Sequence, residues 1–260
     1  MMIRAKKSLG QNFLSDRNIL GRIAGTADLT KADTVVEIGP GTGNLTKILA
    51  EKAGRVIAIE KDHRLIEQLQ QRFPEKRVQI IEGDVLALSP GELDLKAGEF
   101  KIVANIPYYI TSHFIRNVFE KWPRPRVIVL TVQKEVAQRI IAQPPHMNLL
   151  ALSVQFYANA EIIGTIARGS FTPSPKVDSA IVKIVPKTAS QLVPPERFFK
   201  LIRAGFSSPR KQLINNLVPA FGNKERVTEA VGKVYSNERI RPENLSIAAW
   251  CELSNLLENS

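Results

Sequence analysis

Apolar and polar positions along roughly the first two-thirds of the chain switch back and forth between two periods. Thr34–Ile38, Arg55–Glu60, Val78–Ile81, Phe100–Ala104 and Arg126–Val132 are short apolar runs rich in Val and Ile, the pattern of buried strands. Between them the apolar residues recur at three- and four-residue spacing. Asn44–Ala53 carries Leu45, Ile48 and Leu49, and His63–Phe73 carries Leu65, Ile66, Leu69 and Phe73. Ser112–Trp122 predicts another helix between the last two runs. Strands alternating with helices of this length predict the α/β class, with a doubly wound, mostly parallel sheet. After Met147 a helical run leads to Ala160–Ile163, and Val177–Val185 (VDSAIVKIV) reads as a further strand. These are expected to close the sheet with an antiparallel edge.

The pattern then changes. Pro186–Pro195 (PKTASQLVPP) reads as a linker, and the chain beyond it has no strand candidate. Arg197–Phe206, Lys211–Leu217, Lys224–Tyr235 and Ser246–Leu257 are expected as short helices. This predicts two domains: 1–187, and a small all-helical domain over 188–260. A length of 260 residues suits one large and one small domain against about 150 residues per domain.

Charge narrows the class of partner. Lys and Arg number 36 against 25 Asp and Glu, a net +11. Such an excess serves solubility, or it serves a polyanion whose phosphates Lys and Arg neutralise; nucleic acid is the favoured reading. Cys251 is alone, which excludes an internal disulfide and a cysteine metal cluster. His63, His113 and His146 lack ligand-pair spacing, so no metal is expected. MMIRAKKSLGQ lacks an apolar signal core, and no apolar run approaches the ~20 residues of a membrane span. A cytoplasmic address without membrane contact is expected.

Candidate chemistry gathers at the predicted strand ends. Glu37-Ile-Gly-Pro-Gly-Thr-Gly43 joins the first strand to the first helix, where glycines let the backbone approach a ligand. Alone, such a loop would serve NAD, FAD, a phosphate or a plain turn. Pro40 and Gly43 depart from the pyrophosphate-binding spacing, and no P-loop lysine follows. Glu60 ends the next strand about 20 residues on, where a carboxylate can hold ribose hydroxyls. Asp84, in Glu82-Gly-Asp-Val85, is either a turn residue or an acceptor for an adenine amine, with Val85 against the ring. The stretch KIVANIPYYIT ends a fourth strand in a proline-stiffened turn, Asn105-Ile-Pro-Tyr108. Asn105 could accept from an exocyclic amine while Tyr108 stacks on its base, as in enzymes that pull a base from its stack. By itself the turn is equally a structural one with a buried tyrosine.

Together these residues carry a resemblance. Ser8-Leu-Gly-Gln-Asn-Phe-Leu14, Glu37–Gly43, Glu60-Lys-Asp62, Gly83-Asp84, Asn105–Tyr108, Gln133-Lys-Glu135 and Phe171-Thr-Pro-Ser-Pro-Lys-Val-Asp178 run in the order of the ribosomal RNA adenine N6-dimethyltransferases and span residues 8–185. The resemblance implies the class I methyltransferase fold, which is Rossmann-like, and S-adenosylmethionine as cofactor without a metal. It implies that Gln11, Asn12 and Leu14 close over the methionine end and that the Gly39–Gly41 loop passes beneath it. Glu60 and Lys61 would lie at the ribose, Asp84 and Val85 at the adenine. Asn105, Pro107 and Tyr108 would form the catalytic turn, with Phe171 the second aromatic face for a flipped adenine.

Two branches of that family compete. The lead-in Ser8-Leu-Gly10 and the tail Phe206–Leu217 resemble the branch that dimethylates two adjacent adenosines in a hairpin near the 3′ end of small-subunit rRNA. The other branch modifies large-subunit rRNA and confers antibiotic resistance. Arg203, Arg210, Lys211, Arg239 and Arg241 are candidates for rRNA contact, and a monomer is expected. A non-catalytic rRNA-binding assembly factor and a dinucleotide oxidoreductase are the readings from other classes.

Overall fold

The computed structural model describes residues 5–6, 10–106, 111–188, 193–237 and 239–258 of the 260. The chain divides into two compact units, Met1–Ala137 with Asn159–Pro186, and Gln138–Ala158 with Lys187–Ser260. The helical unit thus takes in residues 138–158 as well as the tail.

The first unit begins with β1 (Phe13–Leu14) and α1 (Arg17–Thr26). Asp16 caps α1, its carboxylate accepting from the Asn18 and Ile19 amides, and Leu20, Ile23 and Ala24 form the buried face. There follow β2 (Thr34–Ile38), α2 (Asn44–Lys52), β3 (Arg55–Glu60), α3 (His63–Arg72), β4 (Val78–Glu82), β5 (Phe100–Asn105), α4 (Thr111–Lys121) and β6 (Val127–Gln133). After α5 (Lys134–Ile140) and α6 (Leu149–Tyr157) come β7 (Ala158–Ile166), β8 (Phe171–Thr172) and β9 (Ser179–Pro186).

Seven strands form one sheet in the order β4-β3-β2-β5-β6-β9-β7. β2 pairs in parallel with β3 and β5, and β6 pairs in parallel with β5. β9 runs antiparallel to β6, as expected from the sequence. Val35, Val103, Val129 and Ile181 turn one face toward α1, α2 and α3, all of them fully buried. Burial on both faces explains why these strands read as continuous apolar runs. Strand order reverses direction between β2 and β5, so a crevice opens at their carboxyl ends.

Two short strands escape the sequence pattern. β1 pairs antiparallel with β8, Phe13 opposite Thr172 and Leu14 opposite Phe171. This ladder ties the chain's start to residues more than 150 positions later.

In the second unit α6 joins α7 (Pro195–Gly205), α8 (Leu213–Phe221), α9 (Lys224–Val234) and α10 (Ile247–Glu258). Phe156 stacks on Phe198 with centroids 4.1 Å apart, and Trp250 packs tightly against Gly205. The helix expected from Lys211 starts instead at Leu213 and runs through Pro219. Residues 206–212 are a turn because Asn216 Nδ2 donates to the Gly205 and Ser208 carbonyls at 2.6 and 3.0 Å. Among the described residues no helix is long and apolar enough to cross a membrane.

Candidate active site

A cavity of about 210 Å³ lies at the carboxyl ends of β2, β3, β4 and β5, within the first unit. Residues 37–42, 59–61, 83–86, and Asn105 with Ile106 line it, and Gly10–Leu14 border it from the N-terminal side. The structure therefore brings together Gln11, Asn12, Leu14, Gly39, Gly41, Glu60, Lys61, Asp84, Val85 and Asn105.

The glycine loop is built for close approach. Gly39 has φ +72°, and a Cβ there would lie 3.3 Å from the Asn105 carbonyl oxygen. At Gly41, φ +59°, a Cβ would meet the Phe13 ring at 3.0 Å. Left-handed backbone and absent side chains together leave a narrow floor that other residues would fill.

Three carboxylates face this floor. Glu60 is buried; its Oε2 accepts from Gly41 N–H at 3.0 Å and its Oε1 from Asp62 N–H at 2.9 Å. Burial raises its pKa, and the two backbone donors work against that rise. Glu37 is 1 % exposed, and among the described residues its Oε2 has no hydrogen-bond partner. Burial, with Glu60 beside it, pushes its carboxyl up to about 8. Asp84 sits at the rim, its Oδ2 bonded to Lys61 Nζ at 2.7 Å and its Oδ1 accepting from Leu86 N–H at 3.0 Å. Partial burial opposes ionisation, yet these bonds hold its pKa below the usual range.

Among the described lining residues the one basic side chain is Lys61, and it is paired to Asp84. Glu60 and Asp84, with the one lysine already neutralised by Asp84, make a poor cradle for a pyrophosphate. These acceptor groups suit a ligand with hydroxyl and amine donors and positive charge. Val85, Ile38 and Leu14 add apolar wall for a flat ring.

Sequence comparison agrees with this site. Residues 2–259 match the family described as ribosomal RNA adenine dimethylase. The chain belongs to the ribosomal RNA adenine dimethylase family. A protein from Dehalococcoides mccartyi named ribosomal RNA small subunit methyltransferase A is 43 % identical over 252 residues, 95 % of this chain and 87 % of the relative. One of the same name from Streptococcus pneumoniae is 38 % identical over 97 % of this chain and 92 % of its own. Among solved structures, a dimethyladenosine transferase from Plasmodium falciparum superposes with a TM-score of 0.79 at 28 % identity, covering 93 % of this chain and 95 % of that one. The 23S rRNA methyltransferase ErmE gives 0.76 at 27 %, covering 95 % and 100 %. The fold is thus that of the S-adenosylmethionine-dependent methyltransferases.

Other expected residues of this adenine dimethylase are placed differently. Pro107 and Tyr108 lie outside the described residues. Phe171 is 3 % exposed and packs in the core with Leu14 and Leu20. Its pairing through β8 to β1 holds the ring down, so in this structure it is a buried wall and not an open stacking face. Arg203 closes α7, and Arg210 and Lys211 lie in the turn that Asn216 pins; all three are exposed in the second unit. Glu37 and Asp62 are the site residues to which sequence reasoning gave no role. The glutamate opens the glycine motif, and only its burial reveals that it faces the cavity.

Proposed function

We propose that the protein methylates N6 of two adjacent adenosines in a hairpin near the 3′ end of small-subunit rRNA, using S-adenosylmethionine, as a cytoplasmic monomer. The observation that carries this reading is an acid-lined cavity at the β2/β5 crevice with Glu60 on its floor and Asn105 on its edge. The names of the full-length relatives support the small-subunit branch.

The residues present fit the cofactor. Glycines whose Cβ positions are already crowded leave room for it, and Glu37 Oε2, without a hydrogen-bond partner among the described residues, belongs to a neutral carboxyl that can exchange a hydrogen bond with a polar group of the ligand. When bound, S-adenosylmethionine supplies a methyl group activated by its sulfonium sulfur. Glu60 would hold the ribose hydroxyls, preset by its two backbone donors. Asp84 would accept from the adenine amine, with Val85 against the ring. Asn105 would accept an N–H of the target adenine so that its nitrogen lone pair is aimed, and Tyr108 would stack on the base. No strong base is needed, since the amine sheds its proton to water once alkylated. Positioning then dominates, an effect worth several kcal/mol when reacting atoms are held near contact.

The test is to incubate the protein with methyl-labelled S-adenosylmethionine and unmethylated small subunits, then digest the rRNA. Labelled N6,N6-dimethyladenosine in small-subunit rRNA is the expected result. Label in large-subunit rRNA alone would transfer the protein to the other branch. Binding without label would leave an assembly factor.

A further inference from the structure

The segment bordering the cavity is fastened at two ends by different means. Its far end is backbone: β1 pairs with β8, and Asn44 Nδ2 donates to the Leu14 carbonyl at 3.3 Å. Among the described residues its near end is held chiefly by one side chain. Gln11 Nε2 donates to Asp62 Oδ2 at 2.8 Å, and Gln11 Oε1 accepts from Lys6 N–H at 2.7 Å. Each end of that amide is therefore oriented by one bond to the protein. Between the two anchors the Phe13 ring lies over Gly41, on the glycine floor.

Asp62 is fixed as firmly as a surface loop permits. Its side chain is 1 % exposed. Arg64 forks onto it, Nε to Oδ1 at 2.8 Å and Nη2 to Oδ2 at 2.6 Å, and its carboxylate caps α3. The Arg64 guanidinium holds its pKa well below the usual range, so the acceptor of the Gln11 amide is an anion. The same residue's N–H donates to Glu60 Oε1. One aspartate thus grips the border segment through its side chain and sets the Glu60 carboxylate through its backbone.

We infer that Gln11 and Asp62 form a positioning pair that governs how long the cofactor stays bound, without either side chain serving as its ligand. The inference rests on the reading that S-adenosylmethionine occupies this cavity. Turning the Gln11 amide away from its present partners would cost two hydrogen bonds, one of them to a buried anion, so it is held as a tether. Cutting the near anchor frees residues 10–12 while the β1–β8 end stays in place. The cofactor then escapes faster, while the groups at the reacting end are untouched.

The experiment compares the full chain with Gln11→Ala, Asp62→Ala and the double variant. It measures the equilibrium constant and dissociation rate of S-adenosylmethionine, and the methylation rate of small subunits at saturating cofactor. Gln11→Ala should weaken binding and speed release about tenfold, the scale of one lost charge-assisted bond, with no drop in the saturated rate. The double variant should lose less affinity than the product of the two single losses, because the contact they share is lost only once. Asp62→Asn keeps an acceptor for Gln11 and should recover part of the affinity; if Asp62→Ala fails to fold, Asp62→Asn must still bind more tightly than its combination with Gln11→Ala. Unchanged binding in Gln11→Ala, or losses that multiply in the double variant, would overturn the pairing. A wild-type chain that binds no S-adenosylmethionine would instead overturn the proposed function, and this inference with it.

Discussion

Gly39, the first residue beyond β2, and Asn105, the last of the parallel neighbour β5, meet so closely that one added carbon at Gly39 would sit 3.3 Å from the Asn105 carbonyl oxygen. The floor of the cavity and the edge that carries the candidate catalytic amide are therefore one structural unit. Gly39→Ala should strain a left-handed backbone and displace the Asn105 turn together. Stability should fall by about 1 kcal/mol in urea denaturation, and methyl transfer by at least about 100-fold, because small misplacements of reacting groups are amplified.

Asn105→Ala separates aiming from binding. The side chain is truncated while its backbone carbonyl, the group facing Gly39, remains. Transfer to small subunits should be abolished while cofactor binding, followed by calorimetry, survives at least in part. Normal turnover would refute the role assigned to this residue.

Glu37 gives the protein a pH-dependent stability with a defined sign. Its folded-state carboxyl is pushed up to about 8 from an ordinary 4.5. The folded chain then holds a proton that the unfolded chain has already lost over that interval. The resulting stabilisation is complete below about pH 4.5 and disappears as pH rises through about 8. Glu37→Gln, neutral at every pH, should flatten the decline in melting temperature between pH 5 and 8.5.

A buried ion pair at the opposite strand ends should govern stability alone. Lys101 Nζ bonds Asp33 Oδ2 at 3.0 Å and the Asp28 carbonyl at 2.6 Å, both side chains less than a tenth exposed. Lys101→Met leaves Asp33 with Thr30 and with Arg126 at 3.5 Å, and should cost about 3 kcal/mol in denaturant unfolding. Lys101 is the second residue of β5 and Asn105 the last, so cofactor affinity should not change.

The exposed turn at Arg210 and Lys211 is the candidate rRNA contact. Replacing both with Ala should weaken rRNA binding and lower the slope of log affinity against log salt by up to about 2. Cofactor binding should stay as in the wild type. An unchanged salt slope would remove these residues from the interface.

The alternation of strands and helices through Gln133 was legible because each element is long enough to show its period and is buried in one characteristic way. The antiparallel β9 was legible too, whereas α1 and the short strands β1 and β8 were not. The α1 helix had a signal, Asp16 ahead of Leu20, Ile23 and Ala24, which a search for strand–helix alternation passes over. The two-residue strands β1 and β8 are too short for any period, and their pairing spans more than 150 residues. Site residues at strand ends were readable from motifs. Their electrostatics were not: the proton on Glu37 depends on burial, and the bond from Gln11 to Asp62 joins residues 51 apart in sequence. Phe171 was assigned an aromatic face toward a flipped adenine by the resemblance alone, and the ladder to Leu14 accompanies its burial.

That ladder has a consequence for how the protein comes into being. The ribosome makes the cavity floor, up to Ile106, well before Phe171 and Thr172 are available to pair with Phe13 and Leu14. A nascent catalytic unit therefore passes through a stage in which its glycine loop has been synthesised while β1 still lacks its partner strand. Closure must wait for a long-range contact that forms among the last in this unit.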